Sequence, residues 1–584
     1  MMRAVAWGAL WALAAGFWLL GTLIVSTHRL TVETPMEAVP VIGVLSLLFA
    51  FMGSVLGLLI HGVRRLVERI TGRRSVDQDW ATVMTTGIFL VPAYVLLGCA
   101  IYTKRFGGDG ALQWCLDAVR MAGPAIVVSA VLLGALHFVT SGRLRPKRIP
   151  ITLALALLTF AGGATALLLE LPEVAGPATT ARSLPQIEPS RRHAPLLVVG
   201  IDGGTWRPIE PLVESGNVPM LASLISRGSH GDIEALWPPY WSTTAWSAII
   251  TGLPREEVGV YGNLVVDAPG LPAFQAPLDI DPRLVLVSAI EYALAYRHFM
   301  KAAPPERSAL KRPPIWEMLH KSGVKTAVIR FNFTYPAKDQ ASIVISNRVV
   351  PDVWDMLGVE SAEPSGMAWP DSLRPRLMQS FTPEWTAPVD EYARVFPRKT
   401  WPRPADSHLN PVRTLGNVLS FDQRTIYAAA DLIRSHPDVQ VLIVHLGGLD
   451  NVQHLFWQYR FPEDFTRRPD STDVEALGPV IDRYIEFVDR GISEIVKGFP
   501  VEPNVMVISD HGIDSFENKP PFKGWHSSPG IFLAAGPGLG QRKERLNVSY
   551  YDIAPTILAL QGLQAPDNLR GKSLAQPEGA LAQR

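Results

Sequence analysis

Asp202, Asp450, His454, Asp510, His511 and His526 offer three carboxylates and three imidazoles, and the chain's two cysteines, Cys99 and Cys115, lie far upstream of all six. Oxygen and imidazole donors without thiolate suit Zn²⁺ or similar borderline dications, and two such ions can share a hydrolytic site about 4 Å apart. Asp450 and His454 form D-x-x-x-H within GGLDNVQHLFW, a spacing that puts both on one face if the stretch is helical. Asp510 and His511 are adjacent, and His526 sits in GWHSSPGIFLAAGPG. A different chemistry is offered by WSTTAWSAIITG, residues 241–252, where Ser242, Thr243 and Thr244 place three hydroxyls in a row. Any of these could be a turn residue, a helix cap or a nucleophile.

Singly, each feature has an ordinary explanation. Asp-Gly after an apolar run is a common turn, D-x-x-x-H is a frequent surface pair on helices, and a lone histidine is usually structural. Their placement joins them. APLLVVGIDGG (194–204), VQVLIVHLGGLD (439–450) and NVMVISDHG (504–512) are apolar runs of strand length, each with an acid at or just past its end. VKTAVIRF (324–331) is a fourth run, following the helix-like PIWEMLHKSG. Strands alternating with helices predict an α/β fold with a mostly parallel sheet covered on both faces. Sites in such sheets form at the carboxyl ends of the strands, the edge to which these runs would deliver their acids.

The segments around 265–310 and 351–415 are rich in Pro, Trp, Asp and Arg without clear periodicity, and read as cap-like insertions. Upstream, LPEVAGPATTARSLPQIEPSRRHAP (171–195) reads as a linker. Residues 1–170 have a membrane texture. Stretches 4–28, 38–63, 80–103, 121–142 and 149–169 contain no Asp, Glu, Lys or Arg, and each reaches the roughly 20 residues that cross a bilayer as a helix. Arg64, Arg65, Arg69, Arg73 and Arg74 after the second stretch, and Arg143, Arg145, Lys147 and Arg148 after the fourth, mark those loops as cytoplasmic. Five crossings then put the rest of the chain outside the cytoplasm, periplasmic or extracellular, on a plasma or inner membrane. The spans lack the charged side chains a transporter or proton relay uses, so anchoring is the expected role.

The chain's formal net charge of zero hides a split: 14 Lys/Arg against 8 Asp/Glu in residues 1–170, and 40 against 46 in residues 171–584. The mildly acidic larger part argues against binding a nucleic-acid polymer. The hydrophobic fraction of 48% is high for a purely soluble protein.

Taken in order, VVGIDGG, PPYWSTTAWSAIITG, GGLDNVQHLFW, ISDHG and GWHSSPGIFLAAGPG resemble the motifs of the alkaline phosphatase superfamily, closest to its type I phosphodiesterase/nucleotide pyrophosphatase branch. The tail YYDIAPTILALQGLQAPDNLRGKSL resembles that branch's C-terminal segment, so the likeness spans about 195–575 and implies one such domain over 196–580. The resemblance implies two divalent ions, most plausibly Zn. One would be held by Asp450, His454 and His526, the other by Asp202, the nucleophilic hydroxyl, Asp510 and His511. It also implies that Asn263, in VGVYGN, holds a phosphate oxygen, although Val258-Gly259 stands where the family often has His-Gly. The family's spacings to Gly252, Trp246 and Asn263 all point to Ser242 as the nucleophile.

The resulting expectation is a membrane-anchored, two-metal phosphodiesterase or phosphohydrolase acting on a phosphate-ester substrate through a phosphoseryl intermediate. Head-group transfer to a lipid or glycan alcohol, and a non-catalytic binding domain, are the alternatives. Tyr240, Trp241, Trp246, Phe456, Trp457 and Trp525 adjoin the motifs without naming a substrate, and the oligomeric state is left open.

Overall fold

The structure is a computed structural model that describes nine helical positions between 51 and 70 and, further on, residues 193–237, 240–267, 274–276, 301–349, 364–382, 386, 391–395, 411–519 and 522–575. Apart from four helical positions of the second (51, 55, 58 and 62), the five expected spans lie outside the described residues, as does nearly all of the linker, and among the described residues no helix is long and apolar enough to cross a membrane.

The chain divides into two compact units, one of residues 1–177 and 264–302, the other of 178–263 and 303–584. In the first, β3 (Leu264–Asp267) and β4 (Phe274–Ala276) pair antiparallel, and with β5 (Lys301–Ala303) they form a small sheet.

The second unit holds every candidate site residue. Its strands are β1 (Leu196–Ile201), β2 (Ser229–Ile233), β6 (Thr326–Ile329), β7 (Ile343–Ile345), β8 (Ala368–Trp369), β9 (Val441–Leu446), β10 (Asn504–Ile508), β11 (Gly512–Lys519), β12 (Phe522–Ser527), β13 (Gly530–Ala535) and β14 (Leu546–Val548). Its principal helices are α1 (Trp206–Glu214), α2 (Pro219–Arg227), α3 (Ser242–Thr251), α4 (Ile315–Lys321), α5 (Pro411–Ser435), α6 (Gly448–Arg460), α7 (Pro479–Lys497) and α8 (Tyr550–Leu560).

The sheet runs β14-β2-β13-β10-β1-β9-β6-β7-β8. Its centre is parallel: β1 lies between β10 and β9, and β9 pairs in turn with β6. The four apolar runs read as strands are these four neighbours. Beyond them the sheet turns mixed, with β13 antiparallel to both β10 and β2, and β8 antiparallel to β7. The stretch around 351–415 is thus not wholly outside the sheet, because Ala368 and Trp369 supply its edge strand.

Side-chain alternation explains the layers. Leu197 and Val199 of β1, Leu442 and Val444 of β9, and Val505 and Val507 of β10 bury themselves with α1, α2, α5, α6 and α7. Leu196 and Val198, Val441 and Ile443, and Met506 and Ile508 face the other way, against α3, α4 and α8. With both faces covered, the central strands are apolar on both faces at nearly every position, which is why they stand out in the sequence.

One close approach matters for the site. Trp246 of α3 is fully buried, and a Cβ on Gly200 of β1 would meet its indole at 2.9 Å. Glycine there lets α3 lie down on the sheet, which sets the place of the hydroxyls at its start.

Candidate active site

Three strand ends build the site. Asp202 follows β1, the turn Gly447–Asp450 follows β9 into α6, and Asp510 and His511 follow β10. Gly203, with φ 71°, ties the three loops together. Its N–H donates to Asp510 Oδ1 at 3.3 Å and its carbonyl accepts from Gln453 Nε2 at 2.7 Å. A Cβ there would lie 3.0 Å from Asp450 Cα. Both the left-handed backbone and the crowding call for glycine.

Asp450 and His454 lie on α6 as the D-x-x-x-H spacing predicts, with His454 Nε2 3.3 Å from Asp450 Oδ1. His454 Nδ1 donates to the Gly524 carbonyl at 2.7 Å, which leaves the Nε2 lone pair to the site. That atom faces His526 Nε2 at 3.1 Å, and His526 Nε2 lies 3.6 Å from Asp450 Oδ1. His526 lies in a strand despite its Gly-Ser-Pro surroundings. It belongs to β12, paired with Ile513 of β11, and the hairpin aims its ring.

His511 is fully buried, with Nδ1 3.0 Å from the Gly512 carbonyl and Nε2 3.3 Å from Asp202 Oδ1 and 3.4 Å from Asp510 Oδ2. Its ring stacks on His526 with centroids 4.1 Å apart. Ligand atoms converge in two groups, Asp202–Asp510–His511 and Asp450–His511–His526, so His511 reaches both.

Ser242 is the first residue of α3. The helix cap is Trp241, so Ser242 does not serve as the N-cap, and its side chain is directed elsewhere. Its Oγ donates to Asp202 Oδ1 at 3.1 Å and lies 3.2 Å from His511 Nε2. The helix N-terminus there favours negative charge. Tyr240, two residues earlier, adopts φ 60°, a conformation that costs a bulky residue roughly 1–2 kcal/mol and often marks a functional turn.

The neighbouring hydroxyls point elsewhere. Thr243 Oγ1 shares its one hydrogen between the Gly262 carbonyl, at 3.0 Å, and Asn263 Oδ1. Thr244 is buried. With Oδ1 taken by Thr243, the amide N–H₂ of Asn263 is the end left to meet an anion.

Electrostatics show what the cluster lacks. Burial opposes charge on Asp202, yet the approach of His445 and then His511 holds its carboxyl well below the usual range. Burial, with the charge of Asp202 beside it, pushes Asp510 well above that range. Burial alone would lower His511, but the charge of Asp510, a hydrogen bond that His511 donates to Asp202, and the charges of Asp202 and Asp450 raise it to about 10. Asp450 Oδ1 and Asp510 Oδ2 are buried without a hydrogen-bond partner. Buried carboxylates at this density need compensating cations, and carboxylate oxygens converging with imidazole lone pairs suit a divalent metal.

His445 escaped the sequence reading. It lies in β9 with its Nε2 3.5 Å from Asp202 Oδ2. A histidine inside VLIVHL, where the other residues are apolar, was the available signal.

A family model described as Type I phosphodiesterase / nucleotide pyrophosphatase matches residues 196–556, and the chain belongs to that family. The family is metal-dependent. Among solved structures, the chain is similar to phosphonoacetate hydrolase from Sinorhizobium meliloti 1021 in complex with phosphonoformate, at 15% identity and a TM-score of 0.31. That match covers 57% of this chain and 60% of the hydrolase, so the chain spans well under two thirds of that protein's length. It is also similar to a putative sulfatase from Bacteroides thetaiotaomicron VPI-5482, at 15% identity, a TM-score of 0.36, and 66% and 74% coverage of the two chains. No curated protein matches the chain.

Proposed function

We propose that the protein is a membrane-anchored phosphodiesterase or phosphohydrolase that uses two divalent ions, most plausibly Zn²⁺, and works outside the cytoplasm through a phosphoseryl intermediate. The observation that carries this reading is the position of Ser242 Oγ, at a helix N-terminus and within 3.2 Å of both Asp202 Oδ1 and His511 Nε2. Asp202, Asp510, His511 and Ser242 would hold one ion, and Asp450, His454 and His526 the other. Bound there, dications lower the pKa of a coordinated hydroxyl and neutralise charge on the phosphoryl oxygens.

The chain's own groups supply the rest. Ser242 Oγ, its proton passed to solvent, attacks phosphorus in line, forming the Oγ–P bond as the bond to the leaving oxygen breaks, and that oxygen takes a proton from water to depart as the alcohol. Water then attacks the same phosphorus and the Oγ–P bond breaks, returning the serine. Asn263 donates from its amide to a non-bridging oxygen, in an orientation kept by Thr243. A preorganised donor of this kind is worth roughly 2–4 kcal/mol in the transition state. The location outside the cytoplasm rests on the charge-free stretches of residues 1–170 and the arginine-rich loops between them.

The experiment is an acid quench of the full chain during turnover of paired mono- and diester substrates, followed by peptide mapping. Phosphate on Ser242 supports the reading. Turnover with no covalent phosphate, or with phosphate on another residue, overturns it.

A further inference from the structure

The Asp202 carboxylate is divided between two surroundings. Oδ1 faces Ser242 Oγ at 3.1 Å and His511 Nε2 at 3.3 Å. Oδ2 turns away from them, accepting from Trp246 Nε1 at 3.3 Å and lying 3.5 Å from His445 Nε2. The His445 ring is buried, standing edge-on to Trp246 at 5.2 Å and against Phe331 at 5.3 Å. Packed this way it cannot swing off, and its Nε2 is buried without a hydrogen-bond partner.

We infer that His445 is a positioning residue for the metal centre: its Nε2–H faces Asp202 Oδ2 and, with Trp246, turns Oδ1 toward Ser242 and His511. The inference rests on the metal-centre reading given above. A polar ring among Val441, Leu442, Ile443, Val444 and Leu446 carries a desolvation cost that an apolar residue would not. An interaction with a charged group can offset that cost: Asp202 Oδ2 lies 3.5 Å from Nε2, and the buried Asp422 carboxyl is also within electrostatic reach. At 3.5 Å the approach is looser than a well-formed hydrogen bond.

The test compares Zn²⁺ affinity, by competition with a chromophoric chelator, in the full chain and in His445→Ala, His445→Asn and His445→Gln. The glutamine amide reaches the place of Nε2, whereas the asparagine amide reaches only that of Nδ1. Outer contacts of this type typically change metal affinity about 10–100-fold, so Ala and Asn should weaken Zn²⁺ binding by that factor while Gln stays close to the parent. Melting temperatures in EDTA, expected to match between the Asn and Gln variants, separate this effect from packing. Parent-like affinity in the Ala variant, or equal affinity in Asn and Gln, overturns the inference while leaving the metal centre standing. A parent chain that takes up no Zn²⁺ overturns the metal-centre reading and this inference with it.

Discussion

The Nε2 atoms of His454 and His526 face one another across 3.1 Å, while Nδ1 of His454 is committed to the Gly524 carbonyl at 2.7 Å. With its one hydrogen on Nδ1, neutral His454 presents a lone pair toward His526, beside the Asp450 carboxylate. Two imidazole nitrogens and a carboxylate converging in this way suit a divalent cation held between them. Exhaustive chelation should therefore abolish turnover, and Zn²⁺ should restore it. His454→Ala and Asp510→Ala should each lose bound metal by elemental analysis and lower kcat/KM by at least about 100-fold, the scale of several kcal/mol of lost charge stabilisation. Full activity in a preparation free of metal would rule the mechanism out.

Without metal, protons must take over the role of cations, which gives stability a definite pH dependence. His511 is raised from 6.5 to about 10, so its contribution is complete below pH 6.5 and is lost as pH rises toward 10. Asp510, raised by burial and by Asp202, acts in the same direction. The metal-free chain should melt at progressively lower temperature from pH 6.5 to 10, and Zn²⁺ should flatten that profile. At pH 8, Zn²⁺ binding should release protons, seen by calorimetry in buffers of different ionisation enthalpy. A flat metal-free profile with no proton release would contradict this assignment.

Of three adjacent hydroxyls, only that of Ser242 reaches Asp202 and His511. Ser242→Ala should keep its fold and its metal while losing activity by several orders of magnitude, as nucleophile removal does elsewhere. Thr243→Ala removes the hydroxyl that orients Asn263, a loss of about 1.5 kcal/mol or roughly tenfold in kcat/KM. Steady-state kinetics on both variants separates the roles. Near-normal turnover in Ser242→Ala, or a larger loss in Thr243→Ala, would reverse the assignment.

The central sheet was legible because its four parallel strands are buried on both faces and read as largely apolar runs, three of them ending near a carboxylate of the site edge. Asp202, Asp450 and Asp510 could be placed for the same reason. The antiparallel side was harder. β2 is SHGDI, whose burial alternates and whose composition carries no strand signal. His526 carried no strand signal of its own, because Gly524, Ser527, Ser528 and Pro529 surround it, and only pairing with β11 makes that segment a strand. His445 was hidden for the opposite reason: inside VLIVHL it passes for core, and its relation to Asp202 exists only across the β1–β9 ladder.

Gly203 gives the last test, because backbone rather than chemistry sets its role. Its φ of 71° is a left-handed conformation, which costs an alanine about 1 kcal/mol or somewhat more. The added Cβ would also sit 3.0 Å from Asp450 Cα and 3.1 Å from Asp450 Oδ1. Relief must come from moving the β1 loop or the start of α6, and either movement separates Asp202 from Asp450. The Gly203 N–H that donates to Asp510 Oδ1 would move with the loop. Gly203→Ala should thus lower stability by about 1–3 kcal/mol and weaken Zn²⁺ binding by more than an equally destabilising substitution far from the site. Leu224→Ala, buried on α2 away from these loops, is the comparison, measured by denaturant unfolding and chelator competition. If both variants lose Zn²⁺ affinity equally, Gly203 serves only the fold and the coupling of the three loops is refuted.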